Sequence, residues 1–204
     1  MALTTAPTAV RPAPPRRCPA ELTAAIRRAV QRQGNWSQTA QRVAGALHRH
    51  LPGPGLLTAA ELGGDPATYQ SHLMHAEPDG SFSVVALVWR PGQVTPVHDH
   101  VTWCVIGVLQ GCEYEELYAL RDGGTVLEQV SRNVNVTGDV SGFAPPGDIH
   151  RVRNRGTEVA VSLHVYGADI SRLGSSVRRI YQLPVRMPGL ISAPPAAPTG
   201  RPAG

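Results

Sequence analysis

A chain of 204 residues, 42% hydrophobic and 17% charged, can bury one sizeable core and is too apolar for a wholly disordered protein. All 19 basic residues are arginine and the formal net charge is +4, but the arginines are scattered, adjacent only at Arg16-Arg17, Arg27-Arg28 and Arg178-Arg179. A nucleic-acid surface needs a denser basic stripe with interleaved aromatics, so the composition argues against nucleic acid as a partner.

Met1 to Arg17, rich in Ala, Pro and Thr, reads as a disordered N-terminal arm, because it cannot bury enough apolar surface to offset its ordering entropy. Leu22, Ile26 and Val30, then Val43, Ala46 and Leu47, recur at helical spacing and predict helices over about 20–33 and 37–51, with Ser37 as N-cap of the second. Pro52-Gly53-Pro54-Gly55 ends that helix. From about residue 68 the pattern turns to β. Short β-branched and aromatic runs at Phe82–Trp89, Trp103–Leu109, Tyr114–Leu120 and Val159–Tyr166 are separated by Gly, Pro, Asp and Asn. Such strands at regular spacing indicate a sandwich or barrel, with the helices packed on one outside face. One domain is expected over 18–186, followed by a disordered Pro/Ala-rich tail over 187–204. Cys18, Cys104 and Cys112 have no framework spacing, which suits a reducing compartment. The start of the chain lacks a signal peptide's apolar region, and no apolar run reaches transmembrane length. A cytoplasmic monomer or small homo-oligomer without membrane contact is expected.

The chemistry concentrates in Gly92-Gln-Val-Thr-Pro-Val-His98-Asp-His100-Val-Thr-Trp-Cys104. His98 and His100 are two apart at the mouth of an apolar strand, where i and i+2 share a face, so both imidazoles can converge on one cation while Asp99 points away. A third ligand is offered by Pro145-Pro-Gly-Asp-Ile-His150-Arg-Val-Arg-Asn154, in which His150 begins a strand after a Pro-Gly turn. His48 and His50 form a second His-x-His pair, but on a helix, where i and i+2 diverge. The two metal-binding segments resemble the paired motifs of the cupin superfamily, with Cys104 standing where many cupins place a glutamate ligand. The resemblance implies a mainly β fold, a cupin barrel with a metal near its mouth. Three neutral histidines leave open positions for anionic ligands, and on residue type alone zinc fits as well as iron.

Ser162, His164 and Tyr166 lie at i, i+2 and i+4 on one strand face, with Leu163 and Val165 on the other. A polar face inside a barrel is costly unless its groups bond one another, and a Ser–His–Tyr relay would satisfy them. Three histidines plus Ser-x-His-x-Tyr resemble the thiol dioxygenases, cysteine dioxygenase and 3-mercaptopropionate dioxygenase. What that resemblance implies is an Fe(2+) enzyme adding O₂ to a small thiol to give a sulfinate, with His98, His100 and His150 on the metal and Tyr166, His164 and Ser162 in catalysis. It also implies a thioether between Cys104 and Tyr166. The early strand that carries an arginine in cysteine dioxygenase reads Tyr69-Gln-Ser-His-Leu-Met74 here, without one. The mercaptopropionate enzymes instead resemble this chain in placing an arginine after the tyrosine strand, which implies the substrate carboxylate on Arg178 or Arg179, with Arg172 behind them; His72 or Gln70 is expected to line the pocket. This tilts the substrate toward 3-mercaptopropionate over cysteine. The rival readings are a non-catalytic metal-binding cupin, as sensor or small-molecule module, and a zinc or manganese cupin isomerase.

Overall fold

A computed structural model describes residues 18–187. The expected arm at 1–17 and, Met187 apart, the expected tail at 187–204 lie outside the described residues. Helices α1 (Ala20–Val30) and α2 (Trp36–Arg49) form where the apolar spacing put them, each stopping a little early. The second is capped by Asn35, not Ser37. Asn35 Oδ1 accepts from the Gln38 backbone N–H at 2.9 Å, and Gln38 Oε1 accepts from the Asn35 N–H at 3.1 Å. That reciprocal pair satisfies two donors that the first turn would otherwise leave open.

After the short helix α3 (Ala59–Leu62) the chain is almost all strand: β1 Gln70–Ala76, β2 Ser83–Trp89, β3 His98–His100, β4 Cys104–Gln110, β5 Cys112–Arg121, β6 Val126–Val136, β7 Val140–Phe143, β8 His150–Arg153 and β9 Ala160–Tyr166. A one-turn helix α4 (Ile170–Leu173) then leads to β10 (Val177–Ile180) and β11 (Val185–Arg186). One sheet has the order β1-β2-β9-β4-β7 and the other β10-β3-β8-β5-β6-β11. The two face each other as the jelly-roll barrel of the cupin fold, in which consecutive strands repeatedly change sheet.

The five-stranded sheet is covered on both sides, which is why β2 and β9 are buried at every residue and read as nearly unbroken apolar runs. Val84, Val88, Leu163 and Val165 meet Leu22, Ile26, Val43 and Leu47 of the helices. Each such buried aliphatic side chain contributes roughly 1.5–3 kcal/mol. Gly107 permits that contact, since a Cβ there would lie 2.6 Å from Leu51 Cδ1 and 3.0 Å from Leu47 Cδ2. The opposite face of the same strands carries Val85, Leu87, Trp89, Ala160 and Tyr166 into the space between the sheets, against Val152 of β8. Period-two alternation thus decides which residues of β9 serve the helical core and which serve the interior.

One expectation about the histidine pair changes. His98 and His100 do not begin the apolar strand; they form their own short strand β3 in the six-stranded sheet, while β4 belongs to the five-stranded one. Val101 to Trp103 make the crossing between sheets. His98 is thereby the direct cross-strand partner of His150.

Candidate metal centre

Register alone brings the three imidazoles together. With His98 opposite His150 and His100 two residues along the same face, their ligand atoms lie within 4.8 Å of one another, and all three residues are buried. The ring centroids are 4.7–4.9 Å apart. Each ring is oriented through Nδ1. His98 Nδ1 donates to the Pro96 carbonyl at 3.0 Å, His100 Nδ1 to Asp148 Oδ2 at 3.1 Å, and His150 Nδ1 to Glu115 Oε1 at 2.8 Å. With the proton fixed on Nδ1, each Nε2 keeps its lone pair for the centre of the cluster, the arrangement that metal-bound histidines adopt.

Electrostatics keeps the site ready for a cation. Burial, reinforced by the neighbouring imidazoles, holds His98 well below the ordinary histidine range, and burial likewise lowers His100. Burial pushes Glu115 and Asp148 upward, but bonds to His150 and Asn133 in the first case, and to the His100 ring and backbone N–H in the second, more than offset it. Both carboxylates titrate low and stay charged. These two acids were not read from the sequence. For Glu115 the available signal was its same-face spacing with Glu113 in a strand that also carries Tyr114, Leu117, Tyr118 and Leu120. Glu115→Gln should weaken metal affinity by about 10–100-fold while leaving the fold intact, measured by competition with a chromogenic chelator; unchanged affinity would show that Glu115 does not tune the histidine.

Ser162, His164 and Tyr166 form a continuous ladder on the inner face of β9. Ser162 Oγ and His164 Nε2 are 2.9 Å apart, and His164 Nδ1 and Tyr166 Oη 3.2 Å. The Trp89 indole N–H donates to Ser162 Oγ at 3.3 Å. Burial, with His100 and His150 nearby, lowers His164 to about 3, so the imidazole is neutral. Burial, then Cys104, raises the Tyr166 phenol well above its ordinary value. Cys104 is the cross-strand partner of Tyr166, at a position whose Cβ atoms are typically about 5 Å apart, and its Sγ lies 3.9 Å from His164 Nδ1. Asn154 is structural: its side chain donates to the Trp89 and Glu158 carbonyls at 3.0 and 2.7 Å.

A small cavity opens over the three histidines and the Tyr166 phenol. Its polar wall is made of hydroxyls, from Tyr69, Ser71, Thr95, Ser175 and Ser176, set against aliphatic residues such as Leu87 and Val152. No arginine and no acidic residue is among its described lining residues. The substrate arginines expected from the sequence are placed elsewhere. Arg179 Nε and Nη2 bind Asp99 Oδ2 at 3.0 and 2.8 Å, joined by the Tyr181 hydroxyl at 2.9 Å. The reason is a register shift in β10 between Val177, which lines the cavity, and Arg179, which sits opposite Asp99. Asp99 alternates with His98 and His100 and points away from the cavity, and Arg179 goes with it. Arg178 is exposed, and Arg172 pairs with Asp169 at 3.0 Å. His72 and Gln70 are also absent from the cavity wall: there the residues from this stretch are Tyr69, just before β1, and Ser71, and His72 lies 3.5 Å from Glu61. The decoy pair stands apart, His48 on α2 and His50 as its C-cap.

Comparison with known proteins bears on the same segment. A family model described as cysteine dioxygenase type I matches residues 17–175. Among solved structures, a Cupin_2 domain of an XRE family transcriptional regulator from Enterobacter cloacae is similar at 15% identity and TM-score 0.36, over 48% of this chain and 94% of that one. A recombinant oxalate oxidase in complex with glycolate is 19% identical at TM-score 0.41, covering 51% of this chain and 53% of the oxidase. A cupin 2 conserved barrel domain protein from Salinispora arenicola is 21% identical at TM-score 0.38, over 52% and 81% of the two chains.

Proposed function

Since the chain belongs to the cysteine dioxygenase type I family, we propose that it is a nonheme iron(II) thiol dioxygenase that converts a small carboxylated thiol and O₂ to the sulfinate. The observation that carries this reading is the buried triad whose three Nδ1 positions are all engaged by oxygen acceptors. Those residues fit a divalent cation: three neutral nitrogens converge, two anchored carboxylates balance its charge from behind, and one side opens to a cavity. Three histidines leave the full +2 charge at the centre, which favours an anionic thiolate over a neutral ligand. Iron(II) held there would activate dioxygen, which does not react directly with a closed-shell thiolate, while the electrons that reduce the O₂ come from the sulfur.

The protein's own groups supply position and protons. Tyr166, at the cavity wall, would donate a hydrogen bond to the substrate carboxylate or to the reacting oxygens, with His164 and Ser162 fixing the phenol's direction. Ser176 lies beside that phenol and favours its charged form. In the absence of a cavity-lining guanidinium among the described residues, we assign carboxylate recognition to the hydroxyls of Tyr166, Ser175 and Ser176. An α-ammonium would find no carboxylate on that wall, so 3-mercaptopropionate fits better than L-cysteine. A Cys104–Tyr166 thioether is part of the same proposal and would further restrain the phenol.

Protein reconstituted anaerobically with iron(II) and then given O₂ tests the reading. Oxygen uptake is expected with 3-mercaptopropionate, more slowly with cysteine, and with sulfinate formed mole for mole. Ligand binding that needs no iron, with no oxygen uptake from any thiol including cysteamine, would identify a non-catalytic binding module instead.

A further inference from the structure

One buried acid is not used by the mechanism above. Glu113 on β5 is 1% exposed, and neither of its carboxyl oxygens makes a hydrogen bond among the described residues. Its surroundings are Ser162 and Trp89, whose dipoles favour its charged form, and Glu115, which opposes it. Glu113 therefore lies next to Ser162, at the end of the ladder remote from the cavity, where the hydroxyl already serves His164 Nε2 and accepts from Trp89. A buried carboxyl without a bond is costly in either protonation state, and more so when charged.

The valences at Ser162 allow two arrangements. The hydroxyl has one proton to give and two lone pairs, one of them taken by Trp89. When Glu113 is neutral, it can donate to Ser162, Ser162 to His164 Nε2, and His164 Nδ1–H to the Tyr166 oxygen, so the phenol proton points into the cavity. When Glu113 is charged, every donor reverses: Ser162 gives to Glu113, His164 Nε2–H to Ser162, and Tyr166 O–H to His164 Nδ1. Moving between the two carries one proton from the cavity to Glu113 without charging any intermediate group.

We propose that Glu113 is the proton acceptor for the incoming thiol, through Ser162, His164 and Tyr166. The thiol proton passes to Tyr166 Oη as the phenol proton moves to His164 Nδ1, the Nε2 proton to Ser162 Oγ, and the serine proton to Glu113. The S–H bond breaks, a carboxyl O–H bond forms, and thiolate is left in the cavity beside a neutral acid on β5. Glu113 is thus a positioning and proton-holding residue that never touches substrate. Burial, only partly offset by Ser162 and Trp89, raises it to about 7, so it exchanges its proton near neutral pH. The titratable groups acting with it are Glu115 on its own strand, Cys104 from β4 and Tyr166 from β9, with His164 between them. β2 contributes the uncharged Trp89, and β6 the neutral register partner Asn135.

The thiol step rests on the dioxygenase reading, but the switch does not, and metal-free protein tests it separately. Nitrogen-15 NMR should place the His164 proton on Nδ1 in acid and on Nε2 in base, with a midpoint near that of Glu113; the His164→Asn variant identifies the signals. Glu113→Gln should hold one tautomer at all pH. In iron-loaded enzyme kcat/KM should rise with pH through the same midpoint, and Glu113→Gln should lose that limb and fall on the order of 100-fold. A single wild-type tautomer across neutral pH would overturn the proposal, as would a switch or a pH limb that survives in Glu113→Gln. Absence of oxygen uptake with a normal tautomer switch would overturn the dioxygenase reading and the thiol step together, leaving Glu113 a proton switch without that substrate.

Discussion

Replacing His150 by alanine is expected to leave protein that folds but no longer retains iron(II), with oxygen uptake lost to background. Loss of an outer partner of a metal-bound histidine costs about 10–100-fold in affinity, and removal of one of three ligands should exceed that range. The variant also strands Glu115, a buried carboxylate whose Oε1 then lacks its 2.8 Å donor, which should lower stability by about 1–3 kcal/mol. Metal content after desalting and a thermal melt separate the two effects. His48→Ala is the control, because His48 lies on the exposed side of α2 and should change neither. Wild-type iron content in His150→Ala would remove the basis of the metal centre.

Tyr166→Phe is expected to behave differently: full iron content, but turnover lower by roughly 100-fold, the scale of one lost proton-transfer or oxyanion-stabilising donor. The ring volume is kept, so packing against Cys104 and Tyr69 should persist. Only the hydroxyl that meets His164 at 3.2 Å disappears. The change also removes the atom beside which Cys104 would form a thioether, so any deficit of two hydrogens in the intact mass of the wild type should be absent from the variant. Wild-type turnover in Tyr166→Phe would reduce the Ser–His–Tyr ladder to a structural device.

Much of the fold was legible because its signals are local. Short β-branched and aromatic runs in Phe82–Trp89 and Val159–Tyr166, punctuated by Gly and Pro, mark strands wherever they fold, and helical spacing from Leu22 to Leu47 marks the outer layer. What escaped was either polar or set by partners. β6, with Arg132, Asn133 and Asn135 among its valines, has no apolar run to announce it and is defined by its ladder with β5. The cap at Asn35 was missed for a smaller reason: Ser37 is also a good capping residue, and only the reciprocal bond with Gln38 chooses between them.

The sequence by itself determined the identity of the chemical groups, since histidines two apart and the Ser-x-His-x-Tyr spacing put side chains on one face of any strand that carries them. It could not determine which face each later residue takes once a strand slips. The register of β3 against β8 brings His98 to His150, and a shift within β10 sends Arg179 to Asp99 and leaves hydroxyls at the cavity. A one-residue slip exchanges inside for outside, and slips are fixed by cross-strand hydrogen bonds between segments far apart in the chain, so only the tertiary structure decided them.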